Sequence, residues 1–215
     1  MKNEKPIAAL FDFDGVVVDT EPHYTLFWDV LGKKYYPEIE SFGLHIKGLS
    51  LKDLYQRYFL EEEGLQDEIT RQLDAFEHDL RFEFIPGVMD FMRELRQQGV
   101  KIAIVTSSSD SKMANAYREH PEIKALADAI ITADRVARTK PHPDCFLLAA
   151  ETLGIPVERC VVFEDSFHGL EAANRAGMKV VGLATTNPAD AIVDKCEVVI
   201  SDFVGFSYEK MMGVL

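Results

Sequence analysis

The chain has 215 residues and lacks any apolar run long enough to cross a bilayer; a spanning helix needs about 20 consecutive, mainly apolar residues. A secretory leader is not expected either. Met1 to Pro6 carries charge, but the apolar run behind it is short, breaks at Asp12 and has no small-residue cleavage site. Cysteine is scarce: Cys145, Cys160 and Cys196 are scattered, odd in number and fit no metal-ligand spacing. They read as thiols of a reducing cytosol, so a cytoplasmic location is expected. Positive charge is short as well, with 23 Lys and Arg against 36 Asp and Glu and a net charge of −13. That balance argues against nucleic acid or an anionic membrane surface as partner. An anionic substrate would have to be received by local positive charge or by a cation. Internal repeats and low-complexity linkers are absent, and the length suits one large domain or one domain with a modest insertion. A monomer or weak dimer is the expected state.

What is present is an alternation. Strand-like apolar runs recur at Ile7–Phe11, Val100–Val105, Ala129–Ile131, Cys160–Phe163, Val180–Leu183 and Val198–Ile200. From residue 86 onward most are separated by helical patterns that stop at glycine. Val88, Phe91, Met92 and Leu95 end at Gly99; Phe146, Ala149, Ala150 and Leu153 end at Gly154; Leu170, Ala173 and Asn174 lead to Gly177. This order predicts a doubly wound α/β fold, a parallel sheet with helices on both faces. The stretch from Thr20 to Glu83 holds helical stripes and no convincing strand. Tyr24, Phe27, Trp28 and Leu31 form one stripe; Leu51, Leu54, Tyr55, Tyr58 and Phe59 another; Ile69, Leu73, Phe76 and Leu80 a third. These read as the core of a small helical bundle inserted after the first strand. A cap of this kind would sit over the strand ends, where open sheets bind ligands.

Four segments at predicted strand ends carry chemistry. Phe11-Asp12-Phe13-Asp14-Gly15 closes the first strand with two carboxylates before a turn glycine. Neighbouring anions repel unless a cation lies between them or one keeps its proton. The pair therefore reads as a divalent-metal site, as a nucleophile beside a general acid/base, or as an acidic turn. The chain is expected to leave the strand at Asp14-Gly15. Thr106, Ser107, Ser108 and Ser109 follow the second strand with hydroxyls and amides suited to an anion's oxygens, or to capping the next helix. Thr139-Lys140-Pro141-His142-Pro143 restricts the backbone around a lysine, which is either a fixed cation or a solvated side chain. Glu164-Asp165-Ser166 ends a fourth strand with a second acidic pair. Together Asp12, Asp14, Glu164 and Asp165 supply oxygen ligands of the kind Mg²⁺ accepts. With Thr106 and Lys140 they suit phosphoryl transfer, whose barrier falls mainly by positioning and charge neutralisation. A dinucleotide-binding fold would want a glycine-rich turn after the first strand; here that turn is acidic.

The order Phe-Asp-Phe-Asp-Gly-Val, Val-Thr-Ser, Lys-Pro, Phe-Glu-Asp-Ser resembles the haloacid dehalogenase superfamily, more narrowly its β-phosphoglucomutase-like branch, over residues 7 to 183. The resemblance implies a core domain at 1–18 and 85–215 with an all-helical cap at 19–84. It implies that Asp12 is the nucleophile and forms an aspartyl-phosphate, and that Asp14 is the general acid/base. Thr106 and the amide of Ser107 would bind phosphoryl oxygens, and Lys140 would neutralise charge. Mg²⁺ would be held by Asp12, the backbone carbonyl of Asp14 and Asp165, with Glu164 direct or through water. Phe13, Ser107 and Ser108, with His23, Lys47, Gly48 and Ser50 from the cap, complete the expected substrate-binding set. The dehalogenases of this superfamily lack an acid two residues after the nucleophile, so Asp14 favours phosphoryl transfer.

Within that resemblance the cap departs from the mutase pattern. Tyr24 stands where the mutases usually carry a histidine, His23 being one position off, and Leu51 stands where they carry an arginine. No lysine occurs between Lys52 and Lys101. A bisphosphate intermediate needs both anionic ends held in turn. Arg57, Arg71, Arg81 and Arg138 are either compensating cations or solvated surface residues. The expected function is a phosphatase acting on a small phosphorylated metabolite, a sugar phosphate first. The alternatives are β-phosphoglucomutase, inorganic pyrophosphatase and a non-catalytic binding domain.

Overall fold

The computed structural model describes residues 6–47, 49, 51–60 and 64–215. Among these, six strands form one parallel sheet in the order β3-β2-β1-β4-β5-β6. They are β1 (Ala8–Phe11), β2 (Lys101–Val105), β3 (Ala129–Ile131), β4 (Cys160–Glu164), β5 (Lys179–Leu183) and β6 (Val198–Ile200). The central strands are fully buried, which is why they read as continuous apolar runs rather than as alternating ones. β1 is flanked by β2 and β4, with Phe11 level with Ile104 on one side and Phe163 on the other. The winding therefore reverses at β1, and its carboxyl end opens onto the crevice that such a reversal creates.

The chain divides into two compact units, one of residues 1–19 and 83–215, the other of residues 20–82. The second unit contains α1 (Glu21–Tyr35), α2 (Phe42–His45), α3 (Leu51–Tyr58) and α4 (Leu65–Asp79). Its interior joins Trp28, Leu31, Phe42, Ile46, Leu54, Phe59, Ile69 and Leu73. The expected stripes supply most of this cluster, but Phe42 and Ile46 lie outside them. Gly32 is what lets α2 approach α1, since a Cβ there would stand 2.2 Å from the Cβ of Phe42. Leu80 does not continue the third stripe as helix: α4 stops at Asp79 and Leu80 is extended.

In the sheet-bearing unit, α5 (Val88–Gln97), α6 (Asp110–Glu119), α7 (Pro121–Leu126), α8 (Asp144–Leu153), α9 (Phe167–Arg175), α10 (Ala189–Ile192) and α11 (Tyr208–Met212) complete the layers. Strand alternation sorts β1 between two faces. Ala8 and Leu10 join Phe146, Ala149, Leu170 and Ala173 from α8 and α9. Phe11 turns the other way, stacks on Phe163 at 4.6 Å and meets the edge of Phe91 from α5. The segment leaving β1 and the segment returning from the insertion are paired, through Asp19 N–H to the Glu83 carbonyl and Ile85 N–H to the Val17 carbonyl.

Candidate active site

The chain leaves the sheet earlier than the Asp-Gly step suggests. β1 ends at Phe11, although the Asp12 amide still donates to the Phe163 carbonyl at 3.0 Å and so keeps Asp12 in line. The next residues curl into a tight loop, in which the Phe13 carbonyl accepts from the amides of Val17 and Val18 and Gly15 N–H donates to the Val18 carbonyl. Gly15 has φ +76°, a conformation glycine adopts without penalty. Val16, Val17 and Val18 are buried and anchor the loop from below. The Phe13 side chain is buried too, so it is the backbone of Phe13 through which its expected place in the substrate set would be filled.

Lys140 is the centre of the site. Its side chain is 5% exposed, and its Nζ donates to Asp12 Oδ1 at 2.8 Å, Glu164 Oε1 at 2.6 Å and the Val105 carbonyl at 3.1 Å. All three ammonium donors thus have oxygen partners. Burial alone would lower this lysine's pKa, but the Asp12 and Glu164 carboxylates outweigh it and raise it, so the cation persists. Asp12 moves up to about 7: burial is the main cause, Lys140 opposes it, and Glu164 and Asp14 add to the rise.

Glu164 is held on both oxygens. Oε2 accepts from the amides of Asp165 and Ser166 and from the Ser166 hydroxyl, while Oε1 takes Lys140. A Cβ on Gly169 of α9 would fall 1.6 Å from Oε1, so the carboxylate lies against a helix that only glycine allows this close. Asp165 sits over Gly15 in the same fashion, a Cβ at Gly15 falling 2.0 Å from Asp165 Oδ2. The loop after β5 secures both strand ends, as Thr185 donates to the Gly15 carbonyl and Asn187 to the Asp165 carbonyl.

Oxygens of Asp12, Glu164 and Asp165 lie within 4.8 Å of one another. Three buried carboxylates against one ammonium leave an excess of negative charge that a divalent cation would offset, and hard oxygen donors suit Mg²⁺. The side chain of Asp14 is not part of this cluster. Its Oδ1 receives Lys112 Nζ at 2.6 Å and its Oδ2 receives the Ser108 hydroxyl at 2.7 Å. Its side chain is thus engaged away from the other three acids, which leaves the backbone carbonyl as the expected route by which Asp14 would reach a metal.

Thr106 and Ser107 follow β2. Thr106 is buried, its amide extends the ladder to the Ile131 carbonyl, and its Oγ1 accepts from the Ser108 amide at 3.0 Å. Accepting that bond leaves the hydroxyl proton directed elsewhere, as an anion-binding donor requires. Ser107 is exposed. Thr106, Ser107, Thr139, Lys140 and Cys145 line one narrow cleft. The three cysteines are all free thiols.

The remaining expected residues belong to the helical unit. His23 is exposed in the first turn of α1. Lys47 Nζ pairs with Glu21 Oε2 at 3.1 Å within that unit. Gly48 and Ser50 lie outside the described residues. Arg57 and Arg81 are exposed, Arg71 pairs with Glu68, and Arg138 of the other unit makes a two-pronged pair with Asp144. Lys112, Thr185 and Asn187 were not singled out by motif. A signal for Lys112 exists: a lysine in the first turn of a helix opposes the helix dipole, a local conflict that marks functional positions.

No helix among the described residues is long and apolar enough to cross a membrane. Residues 9–183 match the family model of haloacid dehalogenase-like hydrolases. The chain is 31% identical over 185 residues to fructose-1-phosphate phosphatase YqaB of Escherichia coli, covering 83% of this chain and 96% of that protein. It is 31% identical over 211 residues to glycerol-1-phosphate phosphohydrolase 1 of Saccharomyces cerevisiae, covering 91% and 82%. Its fold superimposes on a HAD hydrolase of family IA, variant 3, from Entamoeba histolytica, with a TM-score of 0.84 at 23% identity over 97% and 98% of the two chains. With the four strand-end motifs gathered around Lys140, this chain belongs to the haloacid dehalogenase-like hydrolase family.

Proposed function

We propose that this hydrolase is a Mg²⁺-dependent phosphatase of small phosphorylated metabolites, sugar phosphates first, working through an aspartyl-phosphate on Asp12. The observation that carries the reading is the buried Lys140, bonded at once to Asp12 and Glu164 beside Asp165. In the first half-reaction Asp12 attacks phosphorus, the ester P–O bond breaks, and Asp14 gives its proton to the leaving oxygen. In the second, Asp14 takes a proton from water as that water's oxygen attacks phosphorus. Inorganic phosphate leaves and the Asp12 carboxylate is regenerated. Thr106 and the Ser107 amide hold phosphoryl oxygens, and Lys140 neutralises charge between the nucleophile and the phosphoryl group. Asp12, Asp165 and the Asp14 carbonyl would hold Mg²⁺, with Glu164 through water because its own oxygens are engaged. When bound, the ion would keep Asp12 ionised and offset charge on the phosphoryl oxygens.

Hydrolysis rather than mutase chemistry is supported by the cation supply. The segment between Lys52 and Lys101 has no lysine, Leu51 replaces an arginine, and Arg71 and Arg138 are engaged in surface ion pairs. The names of the two relatives above support a small phosphorylated polyol or sugar as substrate. A cytoplasmic monomer or weak dimer fits the free thiols. Phosphorus NMR with Mg²⁺, β-glucose 1-phosphate and a trace of glucose 1,6-bisphosphate tests the reading. Inorganic phosphate from wild type and none from Asp12→Asn is the expected result. Glucose 6-phosphate without inorganic phosphate would make the chain a mutase.

A further inference from the structure

Lys112 and Ser108 both hold the Asp14 side chain, and Lys112 belongs to none of the strand-end motifs. Its Nζ lies 2.6 Å from Asp14 Oδ1, and the Ser108 hydroxyl lies 2.7 Å from Oδ2. The ammonium is the more enclosed partner, with 6% of its side chain exposed against 17% for Asp14. The backbone beneath Lys112 is itself fixed, its amide donating to the Ser109 side chain that caps α6. A buried ion pair is a poor source of stability, because desolvation cancels most of the attraction. A lysine in the first turn of α6 also faces the unfavourable end of the helix dipole. Neither the pair nor the helix explains why a lysine stands there.

We infer that Lys112 is a positioning residue, which with Ser108 aligns the Asp14 carboxylate for proton transfer to and from the reacting oxygens. This rests on the assignment of Asp14 as general acid/base. The transferred proton passes from Asp14 to the leaving oxygen as the P–O bond breaks, and later from water to Asp14; Lys112 neither gains nor loses one. Lys112 therefore matters most where proton transfer matters most, on esters whose leaving group departs poorly as an anion.

The test compares kcat/KM for 4-nitrophenyl phosphate, whose leaving group departs without a proton, and phenyl phosphate, whose leaving group departs much less readily. Asp14→Asn should raise the ratio of the two by about 100-fold, within the range for loss of a general acid. Lys112→Met should raise it about tenfold, Lys112→Arg should return it towards wild type, and Lys112→Met should add less than about twofold in the Asp14→Asn background. Equal losses on both esters, no loss on either, or an undiminished effect in the Asp14→Asn background would each overturn the assignment. If Asp14→Asn itself leaves the ratio unchanged, the Asp14 reading fails and takes the Lys112 role with it. A shifted Asp14→Asn ratio with an unshifted Lys112→Met ratio rejects Lys112 alone. Should circular dichroism show Lys112→Met to be unfolded, Ser108→Ala carries the same comparison through the other carboxylate oxygen.

Discussion

The two units of this chain keep their charges in opposite places. The sheet-bearing unit buries Lys140 against Asp12 and Glu164, and Lys112 against Asp14. The helical unit leaves Arg57 and Arg71 exposed and fills its interior with rings, Tyr36 stacking on Phe42 and Phe27 on Phe76. Both units are packed, and among the described residues the ion pairs of the sheet-bearing unit around Lys140 and Lys112 are the more deeply buried, where charge interactions gain as water is excluded. The difference yields an expectation for each unit. Removing one of these buried charges from the first unit should impair turnover, while disturbing the second unit's core should cost stability and leave the chemical step intact.

The largest effect should come from Asp12→Asn, which removes the nucleophile while keeping the residue's size. Steady-state phosphate release should fall at least about 10⁴-fold; a loss of less than tenfold would end the nucleophile assignment. Lys140→Met should come next. It leaves Asp12 and Glu164 buried without their ammonium, a loss of about 3–5 kcal/mol that urea unfolding would register. Unchanged unfolding would mean that Lys140 is dispensable to the charge balance of the core.

Gly32→Ala probes the other side of the comparison. The added Cβ meets Phe42 at 2.2 Å, so α1 and α2 must separate. Overpacking of this kind costs about 1–3 kcal/mol. Unfolding midpoint should drop while kcat stays within about twofold, and a large fall in kcat would blur the division between the units.

The smallest effect is electrostatic. With no cation bound, Asp12 stays protonated in the fold up to about 7 but ionises near the ordinary Asp value once unfolded. Between those values the unfolded chain binds fewer protons, so this carboxyl's contribution is fully present at low pH and is lost as pH rises towards 7. Mg²⁺ competes with that proton. Its melting-temperature increment should therefore be greater at pH 8 than at pH 5, by a few degrees. Equal increments would place the ion away from Asp12.

Much of this arrangement was legible in the sequence, for reasons that differ by region. The strands were readable because a parallel sheet buries both faces, leaving uninterrupted runs such as Ile102–Val105 and Cys160–Phe163. The acids were readable because each closes such a run. Lys112 was not, since its partner lies 98 residues away and a helix lysine ordinarily points to solvent. Motif order likewise carries no information on which cation claims a carboxylate, so the pairing of the Asp14 side chain with Lys112 was not legible. Phe42 was missed because α2 spans four residues, too short to show a period.

The central claim is that phosphorus is transferred twice, first to Asp12 and then to water. The most direct measurement is the stereochemical course of hydrolysis of a phosphorothioate ester made chiral with oxygen isotopes, in water carrying the remaining isotope. Each in-line displacement inverts phosphorus, so two in succession should give inorganic thiophosphate with net retention. Net inversion would mean that water attacks the ester directly and that Asp12 is not the nucleophile.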